Sequence, residues 1–367
     1  MWKFNERAWK NVLQLDEFLK GEGLQVNRRR TGALLAALLC LLTGCDGSTT
    51  PADTSYMPPE EERLVIYTSH KEEVWWPIVK EFEERTGIWV DVVTGGSSQL
   101  LEQIRQEQEA PRADVMFGGG VESLESYSDC LEPCACSEKA QIPERYRSEK
   151  DLWTPFSSLP VVLIYNTKLV DPTWLTSWSD LLSDRFRGKI AFADPGVSGY
   201  SFTSLVTYLD AMGQSPEECL PQLAASLEDR QLDSSGDVLS AVAQGSDWVG
   251  ITLEETALQW IAAGEDLGMV YPSDGTSSVP DGSALVAGAP HRENAEKFLD
   301  FTVSLDVQQL LARQFYRRPV REDVETGKNL VPLSELKLVD YDVEWASRER
   351  ESLLMSWAFY LGGKEEL

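Results

Sequence analysis

Four short stretches of the 367-residue chain are rich in glycine, in hydroxyl or imidazole side chains, or in both: Thr68-Ser69-His70, Gly95-Gly96-Ser97-Ser98, Gly118-Gly119-Gly120 and Gly196-Val197-Ser198-Gly199-Tyr200-Ser201. Glycine lets a ligand approach the backbone closely, and serine adds a hydroxyl. At a helix start the first amide N–H groups have no intrahelical partner and carry the positive end of the helix dipole. The chemistry such stretches suit is the cradling of an anion, with no bond made or broken. Serine and glycine also cap helices in the absence of any ligand, so one stretch alone says little. Four at equivalent positions imply a shared cleft.

Positioning these stretches requires strands that end where they begin. "RLVIYTSHKEEVWWPIVKEFEERTGIWVDVV" gives a β-rich run at 64–67, a polar turn, and a helix in which Val74, Trp75, Ile78, Val79 and Phe82 recur at helical spacing up to Gly87. Residues 89–93 form the next strand, "GGSSQLLEQIRQE" is a glycine turn into a second helix, and "ADVMFGGG" is a third strand ending in glycines. The same grammar returns with strands near 161–165, 189–191 and 248–252, and helices from about Ser198, Gly236 and Glu254. A strand near 283–287 precedes two helices in "PHRENAEKFLDFTVSLDVQQLLARQF". Alternation of this kind predicts two α/β units with parallel sheets, helices on their faces, and ligands beyond the carboxyl ends of the strands. Trp75, Trp76, Trp174 and Trp178 are expected in the core.

Composition narrows the function classes. With 60 Asp and Glu against 33 Lys and Arg, the formal charge is −27, which repels a phosphate backbone and excludes nucleic acid as a partner. A 42% hydrophobic content with 12 Trp supplies ample core, and the length points to two lobes. His70 and His291 are the chain's two histidines, and His291, in the turn "GAPHREN", is expected to be exposed. Ser198 lacks the G-x-S-x-G elbow, and the "GGK" at Gly362 is no phosphate loop. No catalytic residue and no cofactor are therefore expected, and a phosphate-ester hydrolase is the rival class. Cys130, Cys134, Cys136 and Cys219 are expected as disulfides or free thiols rather than zinc ligands, because no histidine lies near and C-x3-C-x-C is not a zinc spacing.

The stretch "LLAALLCLLTGCDGSTTPADT", at 34–54, is a different kind of signal. The apolar run at 31–44 is too short to cross a bilayer, follows Arg28-Arg29-Arg30 and ends in small residues, the layout of a secretory leader. Leu42-Thr43-Gly44-Cys45 resembles the bacterial lipobox. That resemblance implies cleavage before Cys45 and lipidation of Cys45, so that residues 1–44 are a leader, 45–61 a flexible tether, and the chain is exported and held at a membrane surface by its lipid.

Beyond the tether, "LVIYTSHKEEVWWPIVKEFEERTGIWV", "GGSSQLLEQIRQE" with "ADVMFGG", "LPVVLIYNTKLV", "SWSDLLSDRFRGKIAFADPGVSGYS" and "LVDYDVEW" resemble the extracellular solute-binding proteins of bacterial ABC importers, in the branch that binds ferric iron, thiamine, phosphonates or sugar phosphates. The resemblance implies a type 2 Venus-flytrap fold, α/β and two-lobed, with crossovers at 157–167 and 270–278. Lobe 1 would be 62–157 with 276–335, lobe 2 158–275, and 336–367 a C-terminal helical segment. It implies a monomer that carries a small molecule to a permease and its ATPase. The iron-binding branch uses a histidine, a glutamate and a tyrosine pair. His70 matches the first, Gly119 or Gly120 stands at the second, and Glu254 and Glu255 stand at the third, so that an iron site would be His70 with Glu254 and Glu255. The phosphate-binding members keep small hydroxyl residues at helix starts, matched by Ser97, Ser98, Ser198 and Ser201. The leading expectation is a phosphoryl or phosphonyl group held by backbone N–H groups and these serine hydroxyls, within a ligand-binding set of Ser69, His70, Gly96, Ser97, Ser98, Gly119, Gly120, Ser198, Gly199, Tyr200 and Ser201. Glu254, Glu255 and Asp274 would face hydroxyls or an amine at the other end.

Overall fold

The structure, a computed structural model, describes residues 58–362 except 229, 328 and 329. The expected leader, Cys45 and most of the tether lie outside the described residues. Eleven strands are described: β1 Arg63–Thr68, β2 Trp89–Thr94, β3 Val115–Gly120, β4 Leu131–Glu132, β5 Thr154–Ser158, β6 Val161–Asn166, β7 Ile190–Ala191, β8 Val249–Leu253, β9 Leu267–Val270, β10 Pro280–Val286 and β11 Arg318–Pro319. The α-helices are α1 Glu72–Thr86, α2 Ser97–Gln106, α3 Val121–Ser126, α4 Trp178–Leu181, α5 Gly199–Met212, α6 Pro216–Leu227, α7 Ser235–Ala243, α8 Glu254–Ala262, α9 Arg292–Thr302, α10 Leu305–Gln314 and α11 Val343–Gly362.

The strands make two sheets, each the centre of a lobe. The first runs β11-β5-β10-β3-β1-β2 with β4 beside β10, and the second runs β7-β8-β6-β9. Both are mixed, which corrects the expectation of parallel sheets. β1 pairs in parallel with β2 and β3, and β7 with β8, whereas β10 runs antiparallel to β3 and β5, and β6 antiparallel to β8 and β9. The antiparallel strands are those that carry the chain between sheets. β5 leads into β6 through Leu159 and Pro160, and β9 leads to β10 through 271–279. A chain arriving from the other lobe brings no crossover helix with it, so nothing imposes the parallel direction.

Local chemistry accounts for the elements. β3 is buried at every position, in keeping with a place inside the first sheet. α1 buries Val74, Ile78, Val79 and Phe82 and stops at Gly87, whose left-handed φ of 75° lets its N–H close on Glu83 O at 2.9 Å. α5 is capped by Ser198, whose hydroxyl accepts from the Ser201 N–H at 3.2 Å, and it ends at Gly213 with φ 63°. The second lobe's core gathers Trp178, Phe186, Phe192, Phe202 and Tyr208, to which α11 adds Ala346, Leu353 and Trp357. α11 also packs on α3 of the first lobe, where the Ser126 hydroxyl donates to Ser347 O at 3.2 Å. The C-terminal helix thus spans both lobes. Of the four tryptophans, Trp178 is fully buried, Trp75 and Trp76 are half-buried, and Trp174 is 37% exposed beneath Arg185, contrary to expectation.

Candidate functional site

A cavity of about 100 Å³, room for several water molecules, lies between the lobes. Ser69, His70, Lys71 and Arg317 line it from the first lobe, and Tyr200, Ser201, Ser235, Gly236, Glu255 and Thr256 from the second. Four helix starts open onto it. Lys71 is the N-cap of α1, Tyr200 and Ser201 lie in the first turn of α5, Ser235 and Gly236 begin α7, and Glu255 and Thr256 follow the first residue of α8. Convergent positive dipole ends with two cationic side chains favour an anion.

The His70 ring packs edge-on against Phe117 (centroids 4.5 Å apart) and beside Phe156 (4.9 Å). Gly118 has φ 101°, and a side chain there would strike Ser69 Oγ and His70 Nε2. Glycine is required on both counts. Among the described residues, neither His70 nitrogen nor Ser69 Oγ has a hydrogen-bond partner. Burial, reinforced by the charge of Arg317, holds the imidazole well below its ordinary pKa, so the ring is neutral and both donates and accepts.

Among the described residues, Arg317 is the one cleft-lining cation that is almost wholly buried, 4% exposed. Its Nη1 donates to Asp281 Oδ2 at 2.7 Å and to Ser157 Oγ at 2.9 Å, and its Nη2 donates to Glu255 Oε1 at 3.1 Å, across the lobe boundary. Nε is buried with no partner among the described residues. Burial opposes the charge on Arg317, but Glu255 and Asp281 outweigh it and raise its pKa. Burial raises the Asp281 pKa against the pull of Arg317. The Asp281 carboxylate also accepts from the Ser157 N–H and hydroxyl, each at 2.8 Å, and lies 3.8 Å from His70 Nε2.

Of the residues expected at the site, Ser69, His70, Tyr200, Ser201 and Glu255 line the cavity. Gly96, Ser97, Gly119, Ser198 and Gly199 come together beside it, where the lobes touch: the Gly199 N–H donates to Ser97 Oγ at 3.2 Å, Gly96 faces Val197 O, and Gly119, φ 105°, leaves room for Ser97. Four expectations are corrected. Ser98 Oγ accepts from Arg350 Nη2 of α11 at 2.9 Å, and Gly120 abuts the Glu122 carboxylate instead of the cavity. Asp274 accepts the Trp178 and Ser179 N–H groups at 3.0 and 3.2 Å and so serves the start of α4. Glu254 is turned away and bound in bidentate fashion by Arg318, both contacts 2.7 Å, with Tyr271 OH as a further donor. The set His70, Glu254 and Glu255 therefore does not converge, and among the described residues no three His, Cys, Asp or Glu are grouped to hold a metal ion.

Arg317, Asp281 and Lys71 escaped the sequence reading. A signal was present: two consecutive acids at a helix start, Glu254-Glu255, and two consecutive arginines after the last helix of the lobe, Arg317-Arg318. His291 is not exposed as expected. Its Nδ1 lies 2.8 Å from Asp114 Oδ2, and Asp114 also ties β1 to the start of α9 through the Val65 and His291 N–H groups. Among the described residues, Cys130, Cys134, Cys136 and Cys219 are free thiols. Burial raises Cys134 to about 11 and Cys136 to about 12.

Comparison with known proteins agrees with this architecture. The description "bacterial extracellular solute-binding protein" matches residues 125–343. The chain is 26% identical to iron uptake protein A1 of Synechocystis over 314 residues, 81% of this chain and 86% of that one. It is 25% identical to a putative 2-aminoethylphosphonate-binding periplasmic protein of Salmonella typhimurium, over 66% of this chain and 73% of the other. Among solved structures, the periplasmic binding protein AfuA of Actinobacillus pleuropneumoniae, with fructose-6-phosphate bound, superposes with a TM-score of 0.76 at 25% identity, covering 82% of this chain and 98% of that one. A ferric binding protein of Campylobacter jejuni gives 0.71 at 21% identity, covering 81% and 99%. The chain belongs to the bacterial extracellular solute-binding proteins of ABC importers and has their type 2 periplasmic-binding-protein fold.

Proposed function

We propose that the chain captures a small solute bearing a phosphoryl or phosphonyl group between its lobes and delivers it to a permease and its ATPase. The observation that carries this reading is a set of three buried groups without partners, Ser69 Oγ, the His70 ring and Arg317 Nε, in residues lining a cavity onto which four helices open. A buried donor left unmatched costs about 1–3 kcal/mol, and a tetrahedral oxyanion offers enough acceptors to meet all three. No proton transfer is needed, so the chain acts as a binder. Native mass spectrometry of protein purified without refolding weighs any retained solute. Calorimetry with phosphate esters, phosphonates and their dephosphorylated counterparts then tests the anion, and equal binding of a compound and its dephosphorylated counterpart defeats the reading.

Ferric iron is the second reading, favoured by His70 with both nitrogens free beside Asp281 and by likeness to iron uptake proteins. It requires Glu254 and Glu255 to leave Arg318 and Arg317. Iron content measured after anaerobic and aerobic purification separates the two readings. Export follows the relatives, which are periplasmic. The lipid at Cys45 belongs to the proposal, and the mass of the mature N-terminal peptide tests it.

A further inference from the structure

We infer that Glu255 is a place-holder: its carboxylate occupies, incompletely, the guanidinium edge of Arg317 that the anionic end of the solute takes over. The inference rests on the anion-binding reading above and names the side chain that sets its threshold. Three features of the geometry lead to it. The Nη1 side of Arg317 is fully engaged by Asp281 and Ser157, both in the first sheet, so the guanidinium is fixed from behind. The Nε–Nη2 edge is half used, with a single contact of 3.1 Å from Nη2 to Glu255 Oε1 while Nε is buried and unmatched. Glu255 comes from the other lobe, at the start of α8, and its second oxygen already accepts from the Thr256 hydroxyl at 2.7 Å, so it has an alternative partner within its own helix.

An oxyanion that presents two oxygens to one guanidinium edge makes two charge-assisted contacts where Glu255 makes one. Such an anion displaces Glu255. An anion that forms one contact gains nothing over the carboxylate already present and is rejected. A free carboxylate can span the same edge, as Glu254 does on Arg318, but it only replaces the single negative charge that Glu255 already provides, whereas a dianionic phosphonyl or phosphoryl group adds a second, so discrimination arises from competition within the protein. The neighbouring pair provides an internal contrast: Arg318 spends both Nε and Nη2 on Glu254, at 2.7 Å each, and leaves no edge for a solute.

Calorimetry with methylphosphonate and with acetate, on the wild-type protein, Glu255→Gln and Arg317→Gln, tests this. Expected is about tenfold tighter methylphosphonate binding in Glu255→Gln, measurable acetate binding in that variant alone, and loss of both in Arg317→Gln. Glu255→Asp, whose carboxylate is one methylene too short to reach Nη2, should shift affinity in the same direction and carries the test if the Gln variant folds poorly. Equal or weaker methylphosphonate binding in Glu255→Gln and Glu255→Asp overturns the place-holder while leaving the anion reading in force. Absence of methylphosphonate binding to every protein overturns both. A loss in Glu255→Gln confined to aminomethylphosphonate identifies Glu255 as an ammonium receptor and likewise overturns the place-holder.

Discussion

Arg317–Glu255 and Arg318–Glu254 are sequence neighbours on both sides of the lobe boundary, yet the two pairs are built differently. Arg318 and Glu254 are 2% and 1% exposed, joined by two short hydrogen bonds and flanked by Tyr271 and Val331 O. Arg317 and Glu255 are 4% and 7% exposed, joined by one longer contact, and Arg317 keeps an unmatched Nε. Burial is similar; what differs is whether each polar atom has a partner. A satisfied buried pair fixes structure, whereas one with an unmatched donor can still bond a further acceptor. Placement agrees with this division. The Glu254 N–H bonds Pro160 O at 2.9 Å, in the first crossover, and Arg318 is paired with Ser158 at its edge, so the satisfied pair sits where the lobes join and the unsatisfied one faces the cavity.

The sharpest way to break this contrast is Glu254→Gln. Removing one charge from a buried, fully hydrogen-bonded pair is expected to cost about 3–5 kcal/mol, read as a lower denaturant midpoint; a loss below 1 kcal/mol would show that Arg318–Glu254 is as loosely held as its neighbour. Ser69→Ala should act in the opposite sense. Its hydroxyl has no partner, so stability should stay level or rise slightly, while methylphosphonate binding weakens about tenfold, or about 1.4 kcal/mol. Ser198→Ala tests a residue next to the cavity whose hydroxyl is already spent as a cap on α5. Its expected signature is about 1 kcal/mol of lost stability with affinity little changed, and a larger effect on affinity than on stability would return Ser198 to the ligand set.

Asp210 gives the smallest effect and a third case, an unmatched acid with no cation beside it. Its pKa is pushed up to about 6 by burial and by Asp340 and Asp342. The folded state thus holds the proton more tightly than the unfolded chain, and stability rises as pH falls from about 6 toward the ordinary carboxylate value. Asp210→Asn should therefore stabilise at pH 7.5 by about 1 kcal/mol or less, given its partial exposure to solvent, and make no difference near pH 4. Thermal unfolding at the two pH values checks the sign.

The elements flanking the cleft were legible in the sequence because they depend on neighbours. The helical spacing of Val74 to Phe82, the Gly87 stop and the Ser198 cap are written within a few residues of where they act. The direction of β6 and β10 was not legible, because it follows from chain travel between lobes. Partner choice was hidden for the same reason. Whether Glu254 or Glu255 faced the cavity depended on Arg317 and Arg318, more than 60 positions away, and Ser98 was taken by Arg350, 252 positions on. Asp274 looked like a ligand group until α4 placed two N–H donors beside it.

α11 adds a constraint that the two crossovers alone would not impose. Two short neighbouring links permit two rigid bodies both to swing and to twist. A helix anchored to one body through Ser347 and Arg350 and to the other through Leu353 and Trp357 resists the twist, which would shear its own anchorage. In the capture mechanism proposed above, a helix braced against both bodies narrows the set of closed geometries from which the solute selects one.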